Sequence, residues 1–184
     1  MKKILLGALL GGLALFVWSF LAHLPPIGTL GERVLPVAQE DDVLRTTRGA
    51  MLERAIYILP GVTEERKGSM AKFEAGPAAV IAYNPHPAPF ATFFLTELAC
   101  DFLAALFGAI IAANLSSALR YWPRVLVLTA IGLLATIDID ASYWNWYAFP
   151  TSYLLAQFVD HVGGWFVAGL VINVGPPLWR SGAV

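Results

Sequence analysis

The chain has 184 residues, 58% of them hydrophobic, and a mean hydropathy of +0.65, which is too apolar for an ordinary soluble domain. A formal net charge of −1 gives no whole-chain reason to expect a nucleic-acid partner. A single cysteine, Cys100, excludes an intramolecular disulfide and any thiol chemistry that needs a pair.

Residues 1–24 place Lys2 and Lys3 before a long apolar run, as a secretory signal does. The best cleavage site follows Ala22, but Phe20 then stands where a small residue is wanted, and a run of about twenty residues is long for a signal core. An uncleaved first transmembrane helix is expected. Gly7 and Gly11, with Ala8 and Gly12 beside them, have the small-xxx-small spacing of helix packing.

Pro25, Pro26 and Gly28 end that helix, and residues 25–89 carry seven Lys or Arg and eight acids. Such a composition fits a folded extramembrane domain. Asp41 or Asp42 is suited to cap a helix reaching about Leu59, with Leu44, Arg48, Met51, Ala55 and Ile58 on one side and Pro60-Gly61 as its stop. A shorter helix is expected from Thr63 to near Gly76, with Met70 and Phe73 apolar. The run AAVIAY over 78–83 fits strand or helix equally, and NPHPAP over 84–89 is a stiff extended return.

Residues 90–115, FATFFLTELACDFLAALFGAIIAANL, are long enough to cross a bilayer, which takes about 20 apolar residues. They nevertheless carry Glu97 and Asp101, and an acid at membrane depth costs a few kcal/mol unless paired or hydrated. The two are i and i+4, so they share a helix face that continues through Ala105, Gly108 and Ala112. A tight turn is expected at 120–124 and a third helix over 125–141, ending in Asp138 and Asp140. An aromatic loop over 142–150 follows, then a fourth helix over 151–174 with Asp160 and His161 in its first half. Gly175 and two prolines stop it, before Trp179 and Arg180.

If all four helices span, Lys2, Lys3, Arg120, Arg124 and Arg180 fall on one side, and the positive-inside rule puts both termini in the cytoplasm. Residues 25–89 and the aromatic loop then face outward. Tyr121, Trp122 and Trp179 make an inner aromatic belt, and Tyr143, Trp144, Trp146 and Tyr147 an outer one.

Counting inward at about 1.5 Å per residue, Asp138 and Asp140 lie within about 6 Å of the outer surface, Glu97 and Asp160 near 10 Å, His161 near 12 Å and Asp101 near 15 Å. These acids and His161 thus share the outer half of three helices. They are read as hydrated or hydrogen-bonded rim groups, as a proton or cation site, or as carboxylate and His ligands of a metal-assisted enzyme. No tight ligand motif such as HExxH is present. A bis-His haem is disfavoured, because His23 and His161 differ in depth by roughly 10 Å and His86 lies between prolines. Tyr143, Trp144, Asn145, Trp146 and Tyr147 form either an interface anchor or a platform for a lipid headgroup, quinone or protein.

Four pieces carry a resemblance: WSFLAHLPPIG at 18–28, YILPG at 57–61, GPAAVIAY at 76–83 and YWNWYAFPT at 143–151. Together they resemble a family of small uncharacterised bacterial four-helix inner-membrane proteins. The resemblance spans most of the chain, implies four helices with an outer domain after the first, and carries over no site residue, since that family has no assigned activity.

The expectation is an all-α integral-membrane bundle of four transmembrane helices (residues 1–24 and three within 90–184) with a mainly helical periplasmic insertion at 25–89. Its leading functional reading is a non-catalytic accessory or assembly subunit in contact with membrane lipid and other membrane subunits, with no cofactor and no nucleic acid. The alternative is a proton or cation pathway, or a metal-assisted enzyme, built on Glu97, Asp101, Asp138, Asp160 and His161.

Overall fold

A computed structural model describes residues 1–173 apart from Glu64 and Arg66. The chain divides into two compact units, residues 1–32 with 89 onward, and residues 33–88. The expected stop signals at 175–177, Trp179 and Arg180 lie outside the described residues.

The first unit is built on four helices long and apolar enough to cross a membrane. They are α1 (Lys2–Ala22), α4 (Phe90–Asn114), the continuous span Tyr121–Trp146, and α7 (Thr151–Ile172). Proline punctuates them: Pro25 follows α1, while Pro89 and Pro150 stand immediately before α4 and α7, where a missing N–H costs nothing. The third span is longer than the 125–141 expected. It starts as α5 (Tyr121–Ala135), passes through a π-helical turn at Thr136–Asp140 and continues as α6 (Ala141–Trp146). Residues 121–124, expected as a turn, form the first turn of α5, because Pro123 is tolerated where N–H groups have no intrahelical partner. The expected aromatic loop is likewise mostly helix: nothing between Ala141 and Trp146 breaks one, and the chain reverses only at Ala148 (φ 54°) and Pro150.

α1 and α7 occupy the middle of the bundle. α1 packs on α4 and α7, and α7 packs on α5 as well, whereas α4 and α5 scarcely touch although consecutive. Small residues allow these approaches. Ala8, Ala105, Ala109, Ala112 and Ala168 are fully buried around Leu15, Leu128 and Ile172. A Cβ on Gly12 would lie 2.8 Å from the Phe102 backbone, and one on Gly132 would lie 2.2 Å from the His161 carbonyl oxygen. The Gly7–Gly11 spacing and the Ala105–Gly108–Ala112 stripe are thus spent inside this chain. Outward faces carry Leu9, Leu13, Phe107, Leu126 and Leu155, as a lipid-facing surface requires.

At the end of the bundle holding the C-terminus of α4, Arg124 is 1% exposed. Its guanidinium donates to the carbonyls of Ala112, Leu115 and Ser116 and, at 3.3 Å, to Asn173 Oδ1. Asn173 Nδ2 donates in turn to the Gly169 carbonyl at 2.8 Å. A positive charge there meets the carbonyl ends of α4 and α7, which carry the negative pole of each helix. Arg124 is therefore a buried cap within α5, where a charge in a tight turn was expected.

The second unit departs from the all-α expectation. α2 runs Val37–Ala50, starting ahead of Asp41 and Asp42 because Pro36 supplies the first accepting carbonyl, and it stops well short of Leu59. Ala55–Leu59 is strand β1, paired antiparallel with β2 (Ala79–Tyr83) so that Tyr57 faces Ile81 and Ala55 faces Tyr83. Ile56-Tyr57-Ile58 is a β-favouring run, and Ala55 and Ile58 therefore leave the expected helix face. The run at 78–83, ambiguous by sequence, is strand. α3 covers only Ser69–Ala75, later than the expected start at Thr63. Thr47 and Met51 are the buried residues of this unit among those described. Residues 25–32, expected in the insertion, belong with the helices: Gly31, at φ +81°, lies so close to Tyr153 that a Cβ would sit 2.6 Å from its nitrogen.

Candidate functional site

Four of the five expected acid and His positions converge. Glu97 and Asp101, one turn apart on α4, meet Asp160 and His161, adjacent on α7, across the C-terminal half of α1. Two adjoining cavities lie there. The larger, about 510 Å³, is lined by α1 (Phe16, Ser19, Phe20), the two residues that follow it (His23, Leu24), α4 (Phe90, Phe93, Phe94, Glu97) and α7 (Gln157, Asp160, His161). The smaller, about 170 Å³, reaches inward to Asp101, Trp18 and Trp165. Ser19, Glu97, Asp160 and His161 line both, so the polar side chains stand where the chambers meet. No Lys or Arg lines either one among the described residues. Glu97 is exposed, Asp101 and Asp160 are half-buried, and Asp101 Oδ2 is a buried atom with no hydrogen-bond partner among the described residues.

Asp138, the fifth expected position, is exposed and stays outside this cluster. Asp140, expected as a rim group, takes its place. It is 4% exposed, and its Oδ2 lies 2.9 Å from His161 Nδ1, an ion-pair separation without the alignment of a regular hydrogen bond. The π-turn explains the exchange. In an α-helix each step of four residues rotates by about 40°, so Gly132, Thr136 and Asp140 would drift off one face. The wider turn counters that drift, and all three are buried, with Thr136 Oγ1 donating to the Gly132 carbonyl at 3.0 Å. Gly132 lets α5 touch α7 at His161, and Asp140 lands beside the imidazole. Single π-turns inside α-helices are frequent at functional sites.

Trp18 of α1 and His23, just past its end, complete the surroundings. Trp18 Nε1–H donates to the Asp160 backbone carbonyl at 3.0 Å, and its ring covers Gly163, where a Cβ would lie 2.2 Å away. His23 Nδ1 lies 2.8 Å from the Ser19 carbonyl. A carbonyl only accepts, so Nδ1 carries the hydrogen and Nε2 is the acceptor of the neutral ring. Trp18, His23, Ser19, Gln157 and Asp140 were all missed as site residues. The Asp160-His161-x-Gly-Gly run on an apolar helix was the one signal that a large side chain must cover this position.

Tyr143, Trp144, Asn145, Trp146 and Tyr147 are all exposed, four of them in α6 and Tyr147 at its end. Tyr143 packs on Tyr147 and Phe149 with ring centroids 5.8 and 5.6 Å apart, and Trp144 Nε1–H donates to Thr151 Oγ1 at 3.2 Å. Trp146 is 76% exposed and Asn145 makes no turn. The cluster staples α6 to the start of α7.

Among the described residues no three His, Cys, Asp or Glu side chains are arranged to hold one metal ion. Comparison with protein-family models, with curated proteins and with solved structures found no match.

Proposed function

We propose that this chain is a multi-pass membrane protein whose α1–α4–α7 cavity takes up protons or cations on Glu97, Asp101, Asp160 and His161. One observation carries the reading: these side chains, from two helices, line adjoining cavities that contain no Lys or Arg among the described residues. Carboxylates placed within an apolar bundle are costly and mark ion or proton paths. The Asp140–His161 contact adds an imidazole oriented by a buried acid, a pairing suited to passing protons. In this proposal the helices cross the bacterial inner membrane with both termini cytoplasmic and the cavity toward the periplasm. Lys2, Lys3 and Arg120 support that orientation, while Arg124 supports it less than expected because it is a buried cap. The test is proton movement into proteoliposomes holding a pH-sensitive dye, driven by an imposed membrane potential. The wild-type chain should acidify the lumen and a Glu97→Gln/Asp101→Asn variant should not; rates equal to those of empty liposomes for both would refute the reading.

A second reading, the accessory or assembly subunit, has its own support in the insertion. That unit buries little, while Leu52 and Ile56 are 87% and 69% exposed. Apolar surface of this kind marks contact with a membrane or another protein. The small-residue stripe on α4 gives that reading no support, because α1 and α7 cover it. Native mass spectrometry after mild solubilisation distinguishes the two: a lone chain counts against the subunit.

A further inference from the structure

The larger chamber combines a wall of aromatic rings with a polar floor, where Glu97 and Asp160 are the charged groups and His23 and His161 stand beside them. Phe94 stands at the centre of the wall, its ring centroid 6.3 Å from Phe16, 6.5 Å from Phe20 and 5.1 Å from Phe90. Glu97 and Asp160 lie on the same lining. At about 510 Å³ the space is within the range of sites for drug-sized molecules and is far larger than a bare ion needs. A lipid chain would fill the aromatic part but leave carboxylates against hydrocarbon, at a few kcal/mol per charge. An anion would meet like charge. A cation with an apolar body suits both surfaces, since ring faces attract a desolvated positive charge and the carboxylates neutralise it.

We infer that the α1–α4–α7 chamber binds a lipophilic organic cation, of the amine or quaternary-onium class, with its charge at Glu97 and Asp160 and its body along the phenylalanines. The inference rests on the cavity's being a proton or cation site and names the class of cation. Proton and organic cation then compete for the same carboxylates.

The test uses the full chain in detergent with two probes of the same four-ring shape and opposite charge, tetraphenylphosphonium and tetraphenylborate, measured by equilibrium dialysis. Tetraphenylphosphonium should bind saturably, one per chain, and tetraphenylborate should not. Glu97→Gln/Asp160→Asn should weaken tetraphenylphosphonium at least tenfold, and Phe93→Ala several-fold. Glu97 and Phe93 are exposed side chains, so the single variants Glu97→Gln and Phe93→Ala keep the test intact if the double variant unfolds. Equal binding of the two probes would make the chamber a merely apolar groove and overturn the inference. So would an unchanged affinity in every variant. Proton movement in proteoliposomes without tetraphenylphosphonium binding overturns this inference and leaves the proton reading standing, whereas absence of both overturns both.

Discussion

Gly132→Ala tests whether the contact between α5 and α7 sets the geometry of the site. The added Cβ would lie 2.2 Å from the His161 carbonyl oxygen, where ordinary contact begins at 3.4 Å. Relief requires a separation of about 1.2 Å (3.4 minus 2.2), and the obstacle is backbone, which cannot swing aside as a side chain does. Overpacking of this kind costs about 1–3 kcal/mol. A clash with backbone puts the cost at the upper end, about 2–3 kcal/mol, and alanine's better helix propensity returns about 1 kcal/mol at most, so the expected net loss is on the order of 1–2 kcal/mol. The assay is unfolding in mixed micelles by titration with a denaturing detergent, followed by circular dichroism. The same separation would stretch the 2.9 Å Asp140–His161 contact, so proton movement should fall together with stability. A Gly132→Ala protein as stable and as active as the parent would refute the close approach and the role assigned to the π-turn.

Three further outcomes follow from the same structure. Arg124→Met should destabilise the bundle by about 2 kcal/mol or more in that assay, since hydrogen bonds from a charged group contribute about 1.5–3 kcal/mol each before desolvation is offset. Arg124→Lys should recover only part, because a single ammonium cannot serve the carbonyls of α4 and Asn173 at once. Asp140→Asn should move the imidazole nitrogen resonances of His161 in isotope-labelled protein and slow proton uptake by about tenfold, ~1.4 kcal/mol; Asp138→Asn, on the exposed side of the same turn, should do neither. Gly49→Ala should add about 0.5–1 kcal/mol of stability and so raise the thermal midpoint, because that helical glycine has open space around it.

The four spans were legible because apolar length and bounding prolines are local properties, and α1, α4 and α7 fall within a few residues of their expected limits. The convergence of Glu97, Asp101, Asp160 and His161 was legible as overlapping depth, which a rise per residue supplies. Rotation about the helix axis was not. Asp138 and Asp140 differ by two residues, and only the π-turn, formed by tertiary contact with α7, decides that Asp140 faces His161. Arg124 read as a loop charge because nothing local shows that the carbonyl ends of two other helices surround it. In the insertion, Leu44 and Met51 invited one long helix through Ile58, but the pairing of β1 with β2 depends on residues some twenty positions away and overrode that periodicity. Trp18 was invisible as a site residue for a similar reason: its partner, the Asp160 carbonyl, is 142 residues distant.

The proton site rests on Glu97, Asp101 and Asp160 sharing one cavity. Infrared difference spectroscopy of the carboxyl band across a pH jump addresses it directly, on the wild type and on Glu97→Gln, Asp101→Asn and Asp160→Asn. Groups that interact strongly titrate as a set, so removing one should shift the protonation signals of the other two. Three signals that subtract independently, each variant losing its own band and leaving the rest unmoved, would contradict a shared site.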